Sequence, residues 1–240
     1  MKKLSLIMSA CLMGMIAQAQ LIDNFSGNLS AYTATRILNN GNHSPANTYS
    51  WEINGGALRL NTTAYVGIEQ FALTRTDFSL GVGSELTATF SAGYTGTQDI
   101  GLYVGAGTPT ADVRQNYVNV YVRNNGQIFS RGFNGTTEFA LSGGATPASI
   151  VSLFIARTSI DTFELGYYDN ATRNLLTTRT IASGNAAGIG SAIGFYGDVR
   201  AVGLVGNLDN LTLTPIPEPA SGAVLGVGAL VLVLARRRVR

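Results

Sequence analysis

Catalysis in this chain would have to come from very few side chains. His43 is the only histidine, and Cys11 is the only cysteine. A Ser-His-Asp triad would have to use His43, which lies in a polar stretch with no Gly-x-Ser-x-Gly elbow nearby and reads as a solvated loop residue. One histidine and one cysteine also exclude the usual zinc arrangements. Glycoside hydrolysis needs two carboxyl groups flanking the bond. The nearest approach is Asp161 with Glu164, or Glu52 alone, and Asp161 precedes an alternating apolar run and reads as a turn residue. Calcium needs several oxygen ligands. Asp23, Asp198 and Asp209, with Asn207, would supply them if the first and last strands pair, although Asp and Asn also build turns unaided. Gly101 to Gly107 lacks a phosphate-loop pattern.

Sugar binding uses exposed aromatic rings as stacking platforms. Trp51, Tyr94, Tyr103, Tyr117, Tyr121, Tyr167, Tyr168 and Tyr196 are available, with Trp51, Tyr103 and Tyr121 the leading candidates. Each ring is equally suited to a core or to a cross-strand pair.

The elements that must position these groups are strands. Leu86, Ala88 and Phe90 alternate with Thr87, Thr89 and Ser91, and Val118, Val120 and Val122 share one side of Tyr117 to Arg123. Phe163, Leu165 and Tyr167 alternate again, as do Ile193 and Phe195; Leu208, Leu211 and Leu213 end the series, and Ile150 to Ile155 reads as a strand covered on both faces. Asn54-Gly55-Gly56, Asn124-Asn125-Gly126, Asn134-Gly135 and Ser142-Gly143-Gly144 supply turns. About twelve strands follow from Leu21 to Thr214, with Asn39 to Asn47 as an irregular loop, no long helix and no fixed repeat. Many antiparallel strands control their edges best as two packed sheets. The expected class is therefore all-β, a two-sheet antiparallel jelly-roll sandwich.

The net charge of +2 is an end effect. Without Lys2, Lys3 and the four C-terminal arginines, and without Glu218, the body keeps 10 basic and 13 acidic residues and no lysine. Nucleic-acid binding needs a basic face to neutralise phosphates, and none is visible in this balance, so no nucleic-acid partner is expected.

Both ends read as targeting segments. Met1-Lys2-Lys3 is a positive start, Leu4 to Ile16 is apolar, and Ala17 and Ala19 are the small residues that signal peptidase reads. Residues 1–19 are thus expected to form a signal helix that is removed, 20–214 the sandwich, and 215–240 a tail. In the tail, Pro217-Glu218-Pro219 precedes an uncharged stretch, 220–235, in which Ser221 is the only polar side chain. As a helix that stretch spans ~24 Å against a hydrocarbon core of ~30 Å. Arg236, Arg237, Arg238 and Arg240 close the chain and would stay cytoplasmic, which puts the body outside. The proline motif, the apolar transmembrane helix and the basic end together resemble the PEP-CTERM sorting signal of Gram-negative bacteria. That resemblance implies an exosortase-type processing enzyme as partner, at least transient membrane anchoring, and a place at the cell surface or in the exopolysaccharide matrix.

Asp23-Asn24-Phe25-Ser26, Trp51 to Leu60, Ile193 to Gly197 and Asn207 to Leu213 fall in an order that resembles concanavalin A-like or laminin-G-like domains. The resemblance implies that the first and last strands pair. Such domains include glycan binders, glycan-cleaving enzymes and adhesion modules. Related glucanases carry a Glu-x-Asp-x-x-Glu strand motif, which is missing here. The expectation is therefore a non-enzymatic surface or matrix protein that binds polysaccharide, with no cofactor unless calcium. The alternatives are a glycan-active hydrolase or lyase, and a purely structural coat or adhesion component.

Overall fold

The computed structural model describes residues 18–39, 48–96, 98–123, 125–146 and 150–216. His43, the signal segment up to Ala17, and the tail with Pro217, Glu218, Pro219, Arg236, Arg237 and Arg238 lie outside the described residues. Ala19 lies just ahead of the first strand and is exposed.

Among the described residues the period-two segments form sixteen strands. In chain order they are β1 (Gln20–Asp23), β2 (Thr33–Asn39), β3 (Thr48–Asn54), β4 (Ala57–Ala64), β5 (Glu69–Arg75), β6 (Ser84–Gly96), β7 (Asp99–Ala106) and β8 (Tyr117–Val122). There follow β9 (Ile128–Asn134), β10 (Thr137–Glu138), β11 (Ser142–Ala145), β12 (Ile150–Arg157), β13 (Thr162–Asp169), β14 (Thr172–Thr180), β15 (Ile189–Val199) and β16 (Gly203–Pro215). The count exceeds the expected twelve partly because β1, β10 and β11 are too short to announce themselves by alternation. The first sheet runs β14-β13-β12-β6-β16-β4-β3 with β1 on β16, and the second runs β10-β9-β8-β7-β15-β5-β2 with β11 on β9. The first and last strands do pair, Gln20 opposite Leu213.

The alternations anticipated from the sequence fill the space between the sheets. Leu86, Ala88 and Phe90 on β6 and Leu153 and Ile155 on β12 meet Val118, Val120 and Val122 on β8 and Ile193 and Phe195 on β15. Asn54 and Ala57 face each other across a two-residue hairpin in which Gly55 and Gly56 take φ of 62° and 77°. Only a residue without a Cβ enters that region at no steric cost, so the turn fixes the register of β3 and β4. The Ser142-Gly143-Gly144 expectation needs correction. These residues belong to β11, which lies on β9, and a Cβ on Gly143 would press into the Ile128 carbonyl. The glycine permits close backbone approach there rather than chain reversal.

The Asp23-Asn24-Phe25-Ser26 motif has a local explanation. Asp23 Oδ1 accepts from the Phe25 amide at 2.7 Å, and Asn24 Oδ1 accepts from the Ser26 amide at 3.2 Å. These side-chain turns hold Phe25 at φ 51°, which drops its buried ring against Phe195 at 5.5 Å.

Candidate functional site

The central strands of the second sheet, β5, β7, β8 and β15, are buried on both faces. On β7, Ile100, Leu102 and Val104 enter the inter-sheet core, while Tyr103 belongs to a separate cluster on the opposite face. That cluster also holds Ile37, Ala72, Tyr117, Tyr121, Phe133 and Tyr196, with Phe129 packed against it. Strand register orders this face in rows. One row is Gln70, Asp198 and Asp99 on β5, β15 and β7; the next is Ala72, Tyr196, Gly101, Tyr121 and Phe129. A third is Thr74, Gly194, Tyr103, Asn119 and Arg131. Tyr121 meets Tyr196 at 5.2 Å, and Tyr103 stacks on Tyr117 at 5.0 Å. A Cβ on Gly105 would reach within 2.6 Å of the Tyr103 hydroxyl, so this glycine is what lets that ring lie down on the sheet.

The face is concave. Leu38 on β2 and Arg131 on β9 both line one cleft of about 240 Å³, together with Ile68, Gln70, Arg114, Arg123 and Arg200. A flat sheet would hold those two strands about 24 Å apart. Residues 107–116, between β7 and β8, form a strap across this trough. The Asp112 amide donates to the Arg36 carbonyl at 2.9 Å, and Arg36 Nε and Nη2 grip both Asp112 carboxylate oxygens at 2.9 and 2.8 Å. Two residues on, the Arg114 guanidinium lies 4.7 Å from the Phe133 ring centroid. The strap thus touches β2 and β9, near opposite margins of the sheet.

One end of the trough is a buried charge cluster. Asp198 is 1% exposed and directly opposite Asp99, itself 2% exposed. Asp198 Oδ2 accepts from Arg200 Nη2 at 2.6 Å, Gln70 Nε2 at 3.1 Å and the Tyr196 hydroxyl at 3.3 Å, while Oδ1 has no partner among the described residues. Burial pushes the Asp198 carboxyl up to about 6, against the pull of Arg200. Arg123 and Arg200 both stand 3.8 Å from Asp99. Burial also raises the Tyr117 and Tyr196 hydroxyls well above their ordinary range and Tyr121 to about 12, so these phenols stay neutral near pH 7.

The residues singled out by sequence scatter. Tyr103 and Tyr121 are 2% and 1% exposed, so neither is an open stacking platform. Trp51 faces inward, its ring against Gly197, and Tyr49 stacks on Phe71 at 3.7 Å beside it. Asp23, Asp198 and Asp209 do not converge. Asp23 closes its own turn and stands 3.7 Å from Arg75, Asp198 is in the trough, and Asp209 caps the Asn210 amide on a bulge of β16. Among the described residues no three His, Cys, Asp or Glu side chains gather as a metal site. Asp161 binds the Ser159 and Thr162 hydroxyls at 2.7 and 3.0 Å, as a turn residue should, and Glu164 pairs with Arg173. Sequence reasoning missed Arg114, Arg123, Arg131, Arg200 and Gln70. One signal was present: Tyr117, Asn119, Tyr121 and Arg123 form a polar-aromatic stripe opposite the valines of the same segment.

The VIP36 exoplasmic/lumenal domain, in its Ca2+/Man3GlcNAc-bound form, superposes with a TM-score of 0.50 at 13% identity, covering 82% of this chain and 87% of that one. At that identity the likeness speaks for the fold alone, an all-β sandwich of two antiparallel sheets. A Bacillus subtilis protein of unknown function with a galectin-like fold follows at 0.48 and 8% identity, over 78% of this chain and 90% of that one. LamAcat from Zobellia galactanivorans follows at 0.45 and 9%, over 84% and 98%. No family model matches the chain, and no curated protein matches it either.

A larger pocket of about 500 Å³ lies among Ser79, Leu80, Arg157, Asp161 and Gly188 to Ser191. Its arginine is consumed by structure: Arg157 donates to the carbonyls of Leu80, Ile189, Ser159 and Ile160. The trough cleft is different, because its guanidinium groups line open volume.

Proposed function

We propose that this is an exported, non-enzymatic surface or matrix protein that binds carbohydrate in the concave cleft of its second sheet. The observation that carries the reading is the cleft itself: Gln70 and arginines from strap, strands and turn converge on one small open volume. Amides and guanidinium groups hydrogen-bond sugar oxygens directionally. At about 240 Å³ the cleft falls below the roughly 300–1,000 Å³ of pockets for drug-sized ligands, and it suits a single sugar unit or a chain end. VIP36, of the same fold, is the Man3GlcNAc-bound protein of the comparison. A cleaving enzyme would need two accessible carboxyl groups. Asp99 and Asp198 are paired, but neither lines the cleft. Export by the leader, and surface sorting by an exosortase-type enzyme acting on the tail, are part of the same proposal.

The test is a polysaccharide array probed with the full chain, with and without calcium, followed by a reducing-end assay on any ligand found. The expected result is binding that survives chelation and releases no reducing ends. An array on which nothing is retained overturns the reading, and release of reducing ends overturns its non-enzymatic part.

A further inference from the structure

We infer that the sugar taken by this cleft is acidic, carrying a carboxylate or a sulfate ester. The inference rests on the carbohydrate reading above and specifies its ligand. Arg114, Arg123, Arg131 and Arg200 line one volume of about 240 Å³, and among the described residues no carboxylate lines it. These are four of the ten arginines of a body whose overall balance is acidic. A plain solvated surface would scatter them.

Their existing partners leave donors over. Arg131 reaches Glu138 at 3.3 Å, Arg200 reaches Asp198 at 2.6 Å, and Arg123 is 3.8 Å from Asp99. Arg114 has no carboxylate partner among the described residues and only stacks on Phe133. Each guanidinium offers five N–H donors in a planar fork, and at most a few are engaged here.

The chemistry of the lining decides between neutral and acidic sugars. A neutral sugar presents hydroxyl groups, which both donate and accept, so its sites mix donors with acceptors. Among the described residues this lining has almost no acceptor. The arginines have none, Leu38 and Ile68 are apolar, and the Gln70 amide nitrogen is already committed to Asp198, which leaves its carbonyl as the one side-chain acceptor. A carboxylate or sulfate only accepts, and it accepts well from paired guanidinium donors. Arg114 arrives on the strap, while Arg123 and Arg200 stand at the buried charge cluster, so an anionic group in the cleft would be met by guanidinium donors from separate elements. The partly protonated state of Asp198 near pH 6 lessens the negative charge behind that group.

The experiment uses the full chain in affinity electrophoresis against polygalacturonate, its fully methyl-esterified form, dextran sulfate and dextran. The expected result is retardation by polygalacturonate, dextran sulfate or both, at least tenfold weaker with the ester and with dextran, and weakening steeply with salt. Arg114→Gln should weaken acidic-polymer binding about fivefold or more. Arg59→Gln, on the first sheet where Arg59 bonds Asn207, should leave it unchanged. Near-UV circular dichroism verifies that both variants keep the native packing. Equal retention of ester and acid, or equal loss in both variants, overturns the acidic assignment while leaving the carbohydrate reading standing. Retention by none of the four polymers overturns the acidic assignment, and an array that is also blank removes the carbohydrate reading with it.

Discussion

The two outward faces of the sandwich are built on opposite plans. The first sheet's outward face is mostly exposed or half-buried along β14 and carries a small ionic network around the buried Glu85: Arg173 donates to Glu85 and Glu164 at 3.0 Å each, and the Tyr168 hydroxyl donates to Glu85 at 2.7 Å. The buried Phe154 ring on that face is roofed by Arg173 at 3.9 Å. The second sheet carries tyrosines, buried carboxylates and a strap on the corresponding face. Antiparallel sheets usually leave one face to water. When a protein buries the second face with polar-tipped rings and charges instead, stability alone is a weak explanation, because buried ions are costly to desolvate. On the carbohydrate reading proposed above, the face with the strap is the one that meets the ligand.

The sharpest way to break this contrast is to truncate matching rings. Tyr196→Ala should cost about 3–5 kcal/mol, as deletions of buried aromatic side chains do. Tyr168→Ala, half-buried on the first sheet, should cost only about 1 kcal/mol. Urea denaturation of both variants measures the gap, and equal losses would erase the distinction between the faces.

Next in size is the pH dependence of the trough. Asp198 titrates near 6 in the folded chain and near ~3.9 when unfolded, so the unfolded state releases its proton first as pH rises. Its contribution to stability is fully present below about pH 4 and is lost as pH rises through 6, by about 3 kcal/mol. Asp77, Asp112 and Asp161 are held below the ordinary carboxylate range by Arg75, Arg36 and the Ser159 hydroxyl. They act in the opposite direction: their stabilisation is lost as pH falls below about 4. Chemical denaturation from pH 4 to 7 should therefore show a decline in the natural chain and a flatter profile in Asp198→Asn.

Smaller effects sharpen the picture. Arg173→Ala uncovers Phe154 and unpairs Glu164, and should cost about 1 kcal/mol in the same assay, since its side chain is 34% exposed. Asp112→Ala removes an exposed pair and should change global stability by less than about 1 kcal/mol. Its signature is local, with faster amide exchange confined to residues 107–116.

The sequence carried the inner half of this architecture and concealed the outer half. Val118, Val120 and Val122 announced a strand face, and they pack between the sheets as expected. Ile150 to Ile155 read as covered on both sides, and Ser152 and Phe154 are indeed buried on the outward side. Tyr103 and Tyr121 misled because a tyrosine on the second face of a strand looks the same whether water or a strap lies above it. Nothing local in residues 107–116 says that Asp112 will reach across to Arg36, 76 positions away. The cleft arginines were invisible for the same reason. Arg114, Arg123, Arg131 and Arg200 come from four separate connections and strands, and only the curl of the sheet gathers them. Asp23 and Asp209 were legible as turn formers, because Asx hydrogen bonds are made within two residues.

Trp51 is the chain's one indole, and its ring stands 3.1 Å from where a Cβ on Gly197 would lie. Asp198, the next residue, projects to the opposite side. The fluorophore is therefore separated from the arginine cleft by the thickness of a single backbone. Occupancy of that cleft should alter its emission without any label, and a titration followed by eye on a spectrometer trace would reveal a ligand before its identity is known.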